Sequence, residues 1–240
     1  MKKLSRILVF QHATAEHPGS FRKYFQKDNI EWCPIVLNEG EQIPSLEGFD
    51  ALWVMGGPMD VWEEAKYPWL QQEKAAIREA VLDRSMPYLG FCLGHQLLSD
   101  ALGGEVGKAE QSEIGIFDIH KTPTGLESSF LNGLPNTFKC LQWHSAEVKR
   151  VPNNAKVLAS SNACESQAIS FGSNAYSIQF HIEATQATIT EWCEIPELKL
   201  SLESKFGENA IEEMRNETNK HLNEINLYSR FLYENWKQSI

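Results

Sequence analysis

Residues 86–104 read MPYLGFCLGHQLLSDALGG, and few backbones can carry that stretch. Residues 87–91 are short, apolar and aromatic-rich, as a buried strand would be. Leu93, Leu97, Leu98, Ala101 and Leu102 then fall at helical spacing, and Gly103 and Gly104 stop the run. Cys92 stands at the joint, flanked by Gly90 and Gly94. This is the strand–sharp turn–helix pattern G-x-[nucleophile]-x-G, with sulfur in the nucleophile position. A turn that tight forces unusual backbone angles on its central residue, and flanking glycines let neighbouring segments come close. It also sets the thiol at a helix N-terminus, where unpaired N–H groups and the helix dipole favour a thiolate. A buried structural cysteine is the competing reading. A base and an oxyanion pocket elsewhere in the chain decide between them.

The surrounding sequence predicts an α/β fold. Residues 6–10 (RILVF) read as a first strand, 30–37 as a second and 49–55 (FDALWVM) as a third, with a helix over 20–28. Strands separated by helical patterns imply parallel βαβ units. Residues 67–84 predict an amphipathic helix with Leu70, Ile77 and Val81 inward. From 113 to 180 the texture changes to short apolar stretches (115–119, 138–143, 157–159, 167–171 and 175–180) between turn-rich loops. That predicts mostly antiparallel strands on one edge of a mixed sheet. Farther on, Ile211, Met214, Thr218, Leu222, Ile225, Tyr228, Leu232 and Trp236 recur every three or four residues as one long helical face. The expected architecture is a mixed, mostly parallel central sheet flanked by helices. It divides into a catalytic-type domain over 1–195 and a helical C-terminal extension, 196–240, packed on that domain.

Composition narrows the function classes. A chain of 240 residues with a net charge of −10 would be repelled by phosphates, which argues against a nucleic-acid or membrane-surface binder. No apolar run approaches eighteen residues, and the N-terminal stretch MKKLSRILVFQH turns polar too soon for a secretory signal. The five cysteines are widely spaced, with no C-x-x-C pair, which argues against a disulfide framework and a zinc site. No metal or cofactor is expected, the location is expected to be cytoplasmic, and the Asn216 sequon is expected to go unused.

Two further strand ends carry suggestive residues. Met55-Gly56-Gly57-Pro58-Met59 directly follows the third strand, and paired glycines there make a loop whose N–H groups can face a cleft. An ordinary turn is the alternative. Gln179-Phe180-His181-Ile182-Glu183 ends the last strand, where residues i and i+2 share a face, so His181 and Glu183 point the same way. An imidazole beside a carboxylate is the base–orienter pair of a catalytic triad. A surface His/Glu pair is the plainer reading, and the three features strengthen one another only jointly.

The set GGP, GFCLGHQ and QFHIE, in that order, resembles the class I (triad-type) glutamine amidotransferases, and among them the GMP-synthase-like branch and its free-standing relatives. The resemblance covers roughly residues 6–188. It implies a thiol hydrolase that cleaves a γ-glutamyl amide through a cysteinyl thioester. Cys92 would be the nucleophile, His181 the general base and acid, and Glu183 its orienter. Gly57 and Leu93 would give backbone N–H groups to the oxyanion. Gln96, Trp143, Ser145 and Ala146 would hold the amino-acid end of a small-molecule substrate, glutamine or another γ-glutamyl compound.

Ile182 stands where many relatives have proline, and Ala146 where an aspartate often follows, which puts the holding of the substrate's amino group in question. His144 reads equally as a structural histidine or a ligand contact. No G-x-x-x-x-G-K-[ST] loop occurs, and nothing like the pyrophosphatase loop of GMP synthase follows Glu183. Three readings follow: a glutaminase that hands ammonia to a separate synthase, a stand-alone hydrolase of glutathione-like compounds, or a non-catalytic binding relative.

Overall fold

The computed structural model describes residues 4–240. In chain order the elements are β1 (Arg6–Gln11), α1 (Arg22–Asp28), β2 (Glu31–Val36), β3 (Ala51–Val54), α2 (Trp69–Arg78), β4 (Tyr88–Phe91), α3 (Leu93–Ala101) and β5 (Glu105–Lys121). There follow α4 (Pro123–Leu126), β6 (Thr137–Arg150), β7 (Ala155–Ser160), β8 (Ala168–Phe171), β9 (Ala175–Ile178), α5 (Thr188–Trp192), α6 (Pro196–Phe206) and α7 (Ala210–Gln238). Among the described residues the strands form one nine-stranded sheet in the order β2-β1-β3-β4-β9-β8-β7-β5-β6. The pairs along β2-β1-β3-β4-β9 are parallel, and the pairs from β9 outward to β6 are antiparallel. This is the mixed, mostly parallel-centred sheet that the alternating pattern predicts.

Strand alternation explains why the central strands are apolar throughout. Ile7, Val9 and Trp53 face one helical layer, while Leu8, Phe10, Leu52 and Val54 face the other. Both faces are covered, so neither can be polar. On the second face lie α2 and α3, with Leu70, Ile77, Leu97 and Leu98 buried. On the first lie α1 and α7. Trp236 of α7 meets Trp53 edge-on at 5.1 Å, and Phe25 of α1 meets the same indole at 4.9 Å. The C-terminal helix therefore completes the core. No helix among the described residues is long and apolar enough to cross a membrane.

The structure bears out the antiparallel edge but makes its outer strands longer than predicted. The short stretches at 115–119 and 138–143 belong to strands of 17 and 14 residues, paired as one long hairpin. The lengths were hidden because one face of the edge is exposed, so polar residues interrupt every apolar run. A register shift between Lys108/Glu113 further breaks the alternation.

Candidate active site

Parallel strands leave their carboxyl ends together, and there the loops after β1, β3, β4 and β9 meet. Cys92 is the first residue past β4 and caps α3, at φ 48° and ψ −101°. A non-glycine residue in that region stores about 1–3 kcal/mol and persists only where its surroundings hold it. They do. The Cys92 amide donates to the Ile178 carbonyl at 2.9 Å, and the Gly94 amide to the Met55 carbonyl at 3.1 Å. Side chains are barred at both flanks: a Cβ on Gly94 would lie 2.1 Å from the Val54 carbonyl oxygen, and one on Gly90 2.6 Å from the Gly94 oxygen. The elbow glycines are thus demanded by the close approach of β3, β4 and α3.

His181 and Glu183 come together as their spacing suggests, with His181 Nδ1 and Glu183 Oε1 2.7 Å apart. They lie just past β9, where the His181 amide donates to the Leu141 carbonyl at 2.8 Å and ties this segment to β6. Both side chains are buried. His181 Nε2 has no hydrogen-bond partner among the described residues. Burial lowers the basicity of this imidazole, but the charges of Glu183 and the adjacent Cys92 outweigh it and hold the pKa well above the usual histidine value. The Trp192 indole closes over the ring edge-on at 4.5 Å. The Cys92 sulfur accepts from Gln179 Nε2 at 3.4 Å and lies 3.8 Å from the Trp143 carbonyl oxygen.

In front of the sulfur is a cavity of about 190 Å³. Its walls include Gly57, Cys92, Leu93, Gln96, Trp143, Ser145 and Ala146, which gathers the resemblance-derived pocket residues around one space. The amides of Gly57 and Leu93 donate to no group among the described residues, so both N–H groups are available beside Cys92. Gln96 is committed to the chain: its Nε2 donates to the Ala146 carbonyl and to Gln179 Oε1, each at 3.0 Å. From the C-terminal region, Glu197, Leu198 and Ser201 of α6 form part of the rim.

The two neighbouring histidines have both ring nitrogens engaged by the protein, and His144 also lines the cavity. His144 is buried, with Nδ1 3.0 Å from the Ala146 carbonyl and Nε2 3.1 Å from Glu113 Oε2. Gln167 and Ser161 donate to that same carboxylate oxygen, at 2.7 and 2.9 Å. His95 bridges Ser177 and the Ser166 carbonyl, and burial lowers its pKa to about 3, so it stays neutral.

The polar loop after β1, HATAEHPG, carries site residues that the sequence reading passed over. Gly19 (φ 49°) backs onto Glu183: a Cβ there would sit 2.0 Å from the Glu183 carbonyl oxygen, which also accepts the Ser20 amide at 2.7 Å. Glu16 is buried near His181 and Glu183. Burial raises its pKa to about 7, helped by Glu183 and opposed by His181 and His12. The available signal was position alone, a polar loop at the carboxyl end of a buried strand.

Glu16 predicts a pH-dependent stability. An acid whose folded pKa exceeds its unfolded value near 4.5 binds its proton more tightly when folded, so stability falls as pH rises from 4.5 through 7. Glu16→Gln should therefore change little at pH 4.5 and stabilise by up to about 3 kcal/mol at pH 8. Urea unfolding at the two pH values measures this; equal effects at both would refute it.

The comparisons with known proteins agree with this architecture. The family model for glutamine amidotransferase class-I matches residues 21–192. A glutamine amidotransferase-like protein, YfeJ, of Salmonella typhimurium is 31% identical over 185 residues, covering 75% of this chain and 76% of that one. One of the subunits of the glutamine-hydrolyzing GMP synthase of Methanocaldococcus jannaschii is 35% identical over 144 residues, 60% of this chain and 69% of its own. Among solved structures, a glutamine amidotransferase of Thermotoga maritima superposes with a TM-score of 0.86 at 27% identity, covering 97% of both chains. With most of its length matched by the family model and its overall fold in common with the Thermotoga maritima protein, the chain belongs to the class I glutamine amidotransferase family.

Proposed function

We propose that the chain hydrolyses a γ-glutamyl amide through a thioester on Cys92. The observation that carries this reading is the pairing of a strained, helix-capping thiol with an imidazole whose Nδ1 is held by a carboxylate and whose Nε2 is unpartnered. The raised basicity of His181 favours transfer of the thiol proton to Nε2. The thiolate attacks the γ-carbonyl, and the carbonyl electrons move onto oxygen, where the Gly57 and Leu93 amides receive them. Collapse breaks the C–N bond as His181 gives its proton to the leaving nitrogen. Water then enters, loses a proton to the same imidazole, and releases glutamate and the free thiol.

The relatives named as subunits of glutamine-hydrolyzing GMP synthases support glutamine as the donor and a separate synthase as the ammonia acceptor. A panel of glutamine, γ-glutamyl dipeptides and glutathione, read for ammonia and glutamate, tests the reading. Ammonia from glutamine is the expected result. Release from the peptides alone would reassign the leaving group, and silence with tight binding would make the chain a sensor.

A further inference from the structure

Two fully buried ionisable residues lie behind the glycine loop, and the acyl transfer described above uses neither. His12 is the first residue past β1, and Glu73 projects from α2; both are wholly inaccessible. His12 Nε2 lies 3.1 and 3.2 Å from the two Glu73 carboxylate oxygens, and its Nδ1 lies 2.7 Å from the Gly56 carbonyl oxygen. A carbonyl oxygen can only accept, so Nδ1 carries a proton. With Glu73 ionised, its oxygens accept likewise, which places a second proton on Nε2. Burial opposes the resulting positive charge, but Glu73 and the Gly56 carbonyl overcome it and raise the basicity of His12. The Trp69 ring stacks on the imidazole at 5.6 Å and 27°, on the same helix as Glu73.

The bond to Gly56 has a geometric corollary. In a trans peptide the C=O and the following N–H point in opposite directions. Fixing the Gly56 oxygen towards His12 therefore turns the Gly57 N–H the other way. Gly57 lines the cavity with Cys92 and Leu93. Gly57 leaves no room for a side chain, and Gly56 would take one only by displacing the tip of Glu16. A Cβ on Gly57 would lie 2.6 Å from His12 Cβ, and one on Gly56 2.7 Å from Glu16 Oε2. Two adjacent glycines would otherwise leave this peptide free to rotate.

We propose that His12, clamped by Glu73, is the positioning residue of the oxyanion hole: it holds the Gly56 carbonyl and so aims the Gly57 N–H at the acyl oxygen. The cation behind the carbonyl also polarises the peptide, which strengthens Gly57 as a donor at the moment negative charge develops. Glu73 acts one step farther back, through His12. The inference rests on the hydrolase reading for its catalytic consequence and on the structure alone for the pinning.

The experiment reads both parts in the full chain. His12→Ala is expected to lower kcat about 100-fold with KM within about twofold, because the lost interaction grows only in the transition state. In ¹⁵N-labelled protein the Gly57 amide signal is expected to shift or broaden in His12→Ala. Because removing one member of a buried ion pair can prevent folding, the double variant His12→Asn with Glu73→Gln serves as the second arm. It is neutral, keeps a donor to Gly56, and is expected to restore the Gly57 signal and recover part of kcat. An unmoved Gly57 signal in every folded variant would overturn the pinning, as would a loss confined to KM. Were the wild-type chain inactive on every γ-glutamyl compound, the hydrolase reading would fail, and the Gly57 signal would still decide whether His12 holds the peptide.

Discussion

Cys92→Ala is expected to leave a folded protein whose γ-glutamyl hydrolysis has fallen by at least about 10⁴-fold, since the covalent route vanishes with the sulfur. The fold should survive because the elbow is held by backbone bonds, Cys92 N–H to Ile178 and Gly94 N–H to Met55, which alanine keeps. Alanine also keeps the strain of φ 48°, whereas glycine would relieve it. Cys92→Gly should therefore be more stable than Cys92→Ala by about 1 kcal/mol, the reverse of their order in a helix interior. Denaturant midpoints of the two variants, alongside ammonia release, measure both effects. An active alanine variant would remove Cys92 from the chemistry, and a glycine variant less stable than alanine would remove the strain argument.

The second large effect is expected at Glu183. With glutamine in its place, the carboxylate that holds Nδ1 at 2.7 Å is replaced by a neutral amide. The attraction that keeps His181 basic is lost while burial, which lowers its pKa, remains. The imidazole then tends towards the neutral form, can adopt the wrong tautomer, and no longer draws the proton from sulfur. A loss of about 10³–10⁴-fold in kcat/KM is expected. The rate of Cys92 alkylation at fixed pH should fall with it, since both depend on the thiolate. Fast alkylation combined with lost hydrolysis would assign Glu183 to a later step, and unchanged hydrolysis would remove it from the triad.

The sequence disclosed those parts of the site that announce themselves locally. The elbow was legible because its strand, helix and glycines are contiguous, and His181 and Glu183 because two residues of separation set their mutual orientation. His12, Glu16 and Gly19 were hidden because their importance is purely tertiary. The polar loop acquires meaning only once β1 lies beside β3 and the loop reaches the ends of β4 and β9. Glu73 was hidden differently. It occupies an inward position on an amphipathic helix, where an apolar residue is the default, and only its partner His12 explains a carboxylate there. The role of His144 was undecidable from sequence, since its partner Glu113 comes from another strand and is itself held by Ser161 and Gln167 from distant parts of the chain.

The meeting of Trp53 with Trp236 has a temporal consequence. β3 is made early in synthesis, yet one face of it waits for a side chain near the end of α7. β4 likewise gains its second neighbour only when β9 has been made. Pairings this distant in sequence delay the productive collapse, so the nascent chain must carry exposed indoles and an open sheet edge for most of its translation.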